Sequence, residues 1–335
     1  MSSGKKRILL LHTGGTLGMT LSGQPDDSAR FVDSLRQHAP RIFEIADLHV
    51  EILFNKDSSN MVPGDWLKVA RALSQRMSEW DGFVVTHGTD TMVFTASALS
   101  YMLPSPSKPI VMTGSQRPMA DAKSDAARNL IAAVEIACEA RVKEVTIFFD
   151  SYLLRGNRAK KVSIPSFQAF ESPNLPPLAR VGLRTDYVPA PYPSIESNPD
   201  FRIETRVAAL ALFPGMDIEL FYGLIDKGVR GLVLKAFGPG DIPLGEHSVV
   251  HLIRALTEKG IPTVICSQAL FGAVDLNLYE TGRAAATAGA ISAGDMTWEA
   301  ALVKMMVLLG RGYPLGAFRA AFRKNLAGEL TEELM

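Results

Sequence analysis

The sequence predicts a two-domain α/β protein: a larger N-terminal domain on a mostly parallel, doubly wound sheet, and a smaller C-terminal α/β domain. Three observations carry this. Short runs of Val, Ile, Leu and Phe alternate with longer stretches at helical spacing; a segment rich in proline, serine and charge, Pro189 to Glu204 (PAPYPSIESNPDFRIE), interrupts them; and a second alternation follows. The composition changes place the N-terminal domain at 1–188, the linker at 189–206 and the C-terminal domain at 207–335. A chain of 335 residues also exceeds what one ordinary hydrophobic core serves.

Taken in chain order, Arg7 to His12, Gly82 to Thr86, Pro109 to Thr113 and Val145 to Phe149 are apolar throughout, as strands buried on both faces of a parallel sheet are. Between them, Thr91 to Leu103 sets Met92, Thr95, Leu99 and Met102 at helical spacing. Ser124 to Ala140 is a second amphipathic stretch, with Ser124 as its N-cap. Beyond the linker, Val207 to Phe213, Gly231 to Phe237 and Thr263 to Ala269 read as strands. Helical stretches fall near Asp217 to Lys227 and His247 to Lys259, with a closing helix near Trp298 to Leu309.

Composition narrows the class of function. The chain is 47% apolar and 21% charged, with 35 basic and 35 acidic residues and a formal net charge of zero. It therefore lacks the basic footprint that nucleic acid or an anionic membrane requires, and a small neutral or zwitterionic ligand suits it better. Cys138 and Cys266 stand far apart with no CxxC, so neither a disulfide framework nor a zinc site is expected. The apolar run Ile8 to Leu11 is too short for a signal segment or a membrane span, and the expectation is a cytoplasmic protein.

The first strand stops at Thr13-Gly14-Gly15-Thr16, in the loop where open parallel sheets bind ligands. Glycines there let the backbone turn sharply and approach a ligand, and a rim threonine can act as a nucleophile. The motif is neither a Walker loop nor a GxGxxG fingerprint, and taken alone a Gly-Gly turn capped by threonines explains it better. A second strand ends similarly, in His87-Gly88-Thr89-Asp90-Thr91, so Thr16, Thr89 and Asp90 can meet in one crevice. Asp90 equally suits a helix N-cap. A threonine nucleophile needs a base. His12 and His87 are near but read as packed structural histidines; Lys160 and Lys161, after Arg155-Gly156-Asn157-Arg158, are the other candidates, with an exposed lysine pair as the plain alternative.

Together these motifs resemble the L-asparaginase family, specifically its bacterial type I, cytoplasmic branch. TGGTLGM, HGTDTM with the following TASALS, and RGNR look like the family's two nucleophile loops and its lysine segment. The similarity continues through VMTGSQRP, SPNLPPL, AGDMTWEA and NLAGELT, over nearly the whole chain. The resemblance implies hydrolysis of the side-chain amide of L-asparagine through an acyl-enzyme, with no metal or cofactor. It implies that Thr16 attacks, that backbone N–H groups around Gly15 and Thr89 stabilise the oxyanion, and that Thr89, Asp90 and Lys161 form a second triad, with Asp90 also meeting the substrate α-ammonium. Gly88 belongs to the second loop. Ser58 matches the residue that holds the α-carboxylate, Ser59 lies where a second contact is made, and Ser115 matches the position whose backbone holds the side-chain amide. Turn chemistry is the alternative for Asp57 to Met61. A homodimer or homotetramer is implied, with no nucleic-acid or membrane partner.

The chain also departs from the family pattern. Leu17 to Phe31 holds no tyrosine, so a water or Lys161 acting through Thr89 would have to replace the lid-loop phenol. Asp241 stands in Gly238-Pro239-Gly240-Asp241 where many relatives carry Asn. Lys160, Lys235 and Ala269 differ from the residues expected at a second, activating asparagine site, so cooperative activation is not expected. Two rivals remain. One is the archaeal amidotransferase component that supplies ammonia for tRNA amidation, which normally carries an extra N-terminal domain for which the position of TGGT leaves no room. The other is an amino-acid sensor with little turnover.

Overall fold

The computed structural model describes residues 4–19, 28–193, 198–245 and 248–331. The chain divides into two compact units, 1–200 and 201–335. In the first, the strands are β1 (Arg7–Gly14), β2 (Asp47–Lys56), β3 (Gly82–Thr86), β4 (Ile110–Thr113), β5 (Val145–Phe149), β6 (Tyr152–Arg155), the short pair β7 (Lys160–Lys161) and β8 (Phe170–Glu171), β9 (Ala179–Val181) and β10 (Thr185–Tyr187). Helices α1 (Ser28–His38), α2 (Arg41–Ile45), α3 (Pro63–Arg76), α4 (Met92–Met102) and α5 (Ala126–Glu139) complete it.

The main sheet has eight strands in the order β10-β9-β6-β5-β4-β3-β1-β2. Its centre is parallel and its β6-β9-β10 flank antiparallel. From β1 the chain steps to β2 on one side and then returns to place β3 on the other. The point where strand order reverses thus lies between β1 and β3, where such sheets form their crevice. Burial explains the apolar runs. Ile8 and Leu10 pack with Phe31, Leu35, Ile42 and Leu130 on one face, and Leu9 and Leu11, pointing the other way, are equally inaccessible.

Some elements differ from expectation. β2 (DLHVEILFNK) is half-buried along its length because it is the edge strand, and its mixed polarity hid it. α4 is buried on nearly every side, and its interior hydroxyls are satisfied within the helix: Ser97 Oγ donates to Val93 O and Ser100 Oγ to Ala96 O. The linker is tied down on both flanks. Within the first unit, Arg155 Nη2 donates to Pro191 O at 2.8 Å and Asp200 N to Met102 O at 3.1 Å; within the second, Glu204 N donates to Met306 O at 2.9 Å. Residues 194–197 of the expected linker and His247 of the expected helix start lie outside the described residues.

The second unit holds a parallel sheet in the order β11 (Val207–Ala211), β12 (Gly231–Ala236), β13 (Thr263–Ser267), β14 (Ile291–Ser292). Its helices are α6 (Gly223–Asp226), α7 (Val250–Glu258), α8 (Glu280–Ala288), α9 (Trp298–Gly310) and α10 (Leu315–Phe322). Leu232 and Leu234 face Leu252, Ile253 and Leu256 of α7, while Val233 faces Met305 and Leu308 of α9 and Phe318 of α10. α9 also carries Lys304, fully buried against Glu329. The pair is compensated: Lys304 Nζ also donates to Lys324 O, and the Glu329 carboxylate accepts from Leu326 N and Ala327 N.

Two histidines brace the ends of β1 and β3. His12 Nδ1 meets Thr86 Oγ1 at 2.7 Å and its ring stacks on Phe31 at 3.9 Å. His87 Nδ1 donates to Gly88 O, which can only accept, so its Nε2 takes the Thr95 hydroxyl. Burial pushes both down from 6.5 to about 4, so each is neutral in the folded protein. A base whose folded value is lowered binds protons more readily when unfolded, so the stability it contributes is full above pH 6.5 and falls as pH drops toward about 4. Urea unfolding at pH 7 and pH 5 should therefore show a clear loss at the lower pH, up to about 3 kcal/mol per histidine at full protonation; a flat profile would contradict this. Separately, Lys304→Met should cost about 3–5 kcal/mol in a denaturant titration by leaving Glu329 buried and unpaired.

Candidate active site

The site grows from three neighbouring strand ends. β1 and β3 run parallel with His12 opposite Thr86, and β3 and β4 with Thr86 opposite Thr113, so their loops emerge side by side. At the end of β1 the two glycines have separate duties. Gly14 has φ +109, and a Cβ there would fall 2.2 Å from Lys56 O at the end of β2. Gly15 has φ +87, and a Cβ there would fall 2.4 Å from Gly88 Cα. Only glycine meets both demands, positive φ and backbone-to-backbone approach. Gly15 N also donates to Lys56 O at 3.0 Å. Thr16 follows at once, part-exposed, opening a single 3₁₀ turn through Gly18.

The second loop is held from below and from the side. A Cβ on Gly88 would fall 2.7 Å from Ser58 Oγ, and Thr91 Oγ1 donates to Ser58 O at 2.7 Å, so the turn after β2 seats against the loop after β3. Ser58 is 4% exposed. Ser59 is exposed, and its N–H and hydroxyl both donate to Asp57 Oδ1 at 2.8 Å. These bonds hold the Asp57 carboxyl below the usual carboxylate range. In this structure Ser59 thus serves the turn, as Asx-turn chemistry prescribes.

Lys161 completes the cluster. Its Nζ donates to Thr89 Oγ1 at 2.8 Å and to Asp90 Oδ1 at 2.6 Å, linking residues 71 and 72 positions apart. The ammonium is mostly shielded, with 17% side-chain exposure against 65% for Asp90. Lys160 and Lys161 are consecutive in β7, paired with Glu171 and Phe170, and strand alternation turns their side chains opposite ways. Only one can face Thr89, and it is Lys161. The RGNR segment ahead of them is scaffold: Arg155 Nε donates to the buried Glu144 at 2.6 Å, and Gly156 N donates to Val145 O.

Ser115 lies just past β4, 1% exposed, its hydroxyl donating to Arg117 O at 2.6 Å. Its loop is held by Asp125, which accepts from Gln116 N and Arg117 N, and by Asn129, which donates to Gly114 O. Neither Asp125 nor Asn129 stands out in the sequence; the one signal was polar residues at the start of a helical stretch. Asp65 is another residue the sequence hid. Buried at the start of α3, it binds Lys56 at 2.6 Å and so steadies the strand end that receives Gly15. Residues 20–27, in the segment without tyrosine, lie outside the described residues. Among the described residues no cluster of three or more His, Cys, Asp or Glu could hold a metal ion.

Thr89, Asp90 and Lys161 are therefore in direct contact, Gly15, Gly88 and Ser58 pack together beneath them, and Thr16 follows directly on Gly15. This suits nucleophilic attack with a lysine-assisted proton path. Comparison with known proteins points the same way. Residues 7–191 match the family model for the asparaginase N-terminal domain, and 206–322 match that for the glutaminase/asparaginase C-terminal domain. The chain is 37% identical over 339 residues to L-asparaginase 1 of Escherichia coli, covering 98% of this chain and 99% of that protein. It is 35% identical to a glutamyl-tRNA(Gln) amidotransferase component of Pyrococcus abyssi, covering 98% of this chain and 77% of that one. Among solved structures, L-asparaginase I from Vibrio cholerae superposes with a TM-score of 0.88 at 35% identity, covering 98% of this chain and all of that one. The thermostable L-asparaginase from Thermococcus kodakarensis gives 0.88 at 34%, covering 97% and 99%. With family models over most of its length and these relatives matched nearly end to end, the chain belongs to the asparaginase family.

Proposed function

We propose that the chain hydrolyses the side-chain amide of L-asparagine to L-aspartate and ammonia, with Thr16 as nucleophile. The observation that carries this is the Lys161 ammonium bridging Thr89 and Asp90 beside the Gly15–Gly88 contact, which sets two threonine loops against each other. Thr16 Oγ bonds to the amide carbon, the C–N bond breaks, and ammonia leaves carrying a proton. Water then attacks the ester, releasing aspartate and restoring the hydroxyl. Thr89 relays protons between the reacting groups and Lys161, while Asp90 orients the lysine and meets the substrate α-ammonium. Gly15 N–H is already donated to Lys56 O, so we assign the oxyanion to the Thr89 amide. By the family motifs, Ser58 meets the α-carboxylate and the Ser115 backbone holds the amide. Ser59 reaches substrate only by giving up its bond to Asp57.

A homodimer or homotetramer in the cytoplasm, with no nucleic-acid or membrane partner, completes the proposal. Among the described residues no helix is long and apolar enough to cross a membrane. The likeness to amidotransferase components supports a second reading, in which the same hydrolysis feeds ammonia to a partner. Free ammonia from L-asparagine with the chain alone distinguishes the two. Thr16→Ala should reduce that release roughly ten-thousand-fold or more in a coupled ammonia assay, with folding intact by circular dichroism. Binding of asparagine by wild type without any ammonia would sink the hydrolase and favour a sensor. Lys161→Met should lower kcat by about 100- to 10,000-fold with a smaller change in KM; an unchanged kcat would remove the lysine from the proton path.

A further inference from the structure

We infer that Gln116 is a positioning residue for this reaction, clamping the hairpin that carries Lys161 and turning its own carbonyl oxygen onto Thr89. The inference rests on the proposed hydrolysis and extends it to a residue outside the proposed triad. Gln116 Nε2 donates to Ile164 O at 2.8 Å and to Ser166 O at 3.0 Å. Both acceptors are backbone carbonyls, so the amide can face them only with its nitrogen, and both of its hydrogens are used. That leaves Oε1 directed at the other neighbour, Thr89 Oγ1, 3.5 Å away.

The consequence concerns the hydrogen on Thr89. Lys161 Nζ already donates into the Thr89 oxygen at 2.8 Å, so the hydroxyl hydrogen must point elsewhere, and Gln116 Oε1 is the acceptor presented to it. A separation of 3.5 Å is long for a hydrogen bond, but catalytic contacts are often long before substrate binds and tighten in the complex. Gln116 therefore selects the hydroxyl orientation in which a Thr89 lone pair meets Lys161.

The hairpin needs such a clamp. β7 and β8 are two residues each, and the residues between them are mostly exposed, Ile164 at 86%. Packing holds the β8 side, where Phe170, opposite Lys161, is 3% exposed and meets the Phe149 ring at 5.0 Å; the exposed turn between the strands is bound by the Gln116 amide from the loop after β4. That loop is itself rigid, because the buried Asp125 carboxylate accepts Gln116 N at 3.0 and 3.1 Å and is braced by Asn129 Nδ2. The line of support runs from the start of α5 through Asp125 and Gln116 to the turn, Lys161 and Thr89.

The test compares ammonia release by wild type, Gln116→Leu and Gln116→Glu across a substrate series, with melting temperatures alongside. Gln116→Leu should lower kcat about 10- to 100-fold while KM changes less than ~3-fold and melting is preserved. Gln116→Glu keeps an acceptor at Thr89 but opposes two carbonyls and places a second carboxylate near Lys161. Asp90 already faces that ammonium, whereas strand alternation turns Lys160, and Glu171 opposite it, to the other face. The glutamate variant therefore keeps the orientation of the Thr89 hydroxyl while losing the clamp, and its kcat should fall less than that of Gln116→Leu, with KM again little changed. Wild-type kcat in Gln116→Leu, or a Gln116→Glu kcat no higher than that of Gln116→Leu, overturns the inference; should the leucine variant fail to fold, wild-type kcat in Gln116→Glu overturns it alone. No ammonia from wild type would instead overturn the proposed hydrolysis.

Discussion

The site depends on one close approach: the backbone of Gly15 against the backbone of Gly88. No side chain fits between them, since a Cβ on Gly15 would lie 2.4 Å from the Gly88 Cα. Because β1 and β3 are neighbours in the sheet, their loops start side by side, and this contact brings them the rest of the way together. Thr16 and Thr89 each sit one residue beyond the contact, so its geometry is passed to both. The residues around it serve to hold it. Lys56 O takes the Gly15 N–H, Ser58 backs Gly88, and the His12 and His87 rings brace the strand ends.

Burial and charge divide the polar residues into scaffold and chemistry. The histidines are neutral because they are buried, with His87 spending both ring nitrogens on fixed neighbours, which makes them braces and poor proton carriers. Arg155 and Glu144 form a buried pair whose work is to hold the sheet flank and the linker. Lys161 is different. It is mostly shielded, it bridges a hydroxyl and an exposed carboxylate, and it stands on a short hairpin.

The comparisons and the geometry bear on different questions. Nearly end-to-end similarity to L-asparaginases establishes the family, and the likeness to amidotransferase components shows that the family's architecture is shared by proteins of different names and lengths. What the site itself supplies is two threonine loops in contact, a lysine bridging Thr89 and Asp90, and the Gln116 amide bound to the hairpin turn, all within the first unit. The second unit has its own closed core and a buried ion pair that ties its last segment down.

Much of this was legible in the residue order. The apolar runs of β1, β3, β4 and β5 announced a parallel sheet because strands covered on both faces must be apolar throughout. The TGGT and HGTDT loops announced their positions at strand ends, and the family motifs selected Lys161 over Lys160. β2 and the antiparallel flank were hidden, since edge and half-covered strands carry mixed polarity. Sequence by itself determined the fold class and the threonine loops, because these are properties of local pattern, while the lysine segment stood out only by its resemblance to the family's motifs. Only the tertiary structure decided that Gly14 and Gly15 answer to two different neighbours, that Ser59 is spent on its own turn, and that Gln116 and Asp125 support the hairpin. Each of those facts is a contact between segments distant in the chain or a choice between competing hydrogen-bond partners, and neither is written in residue spacing.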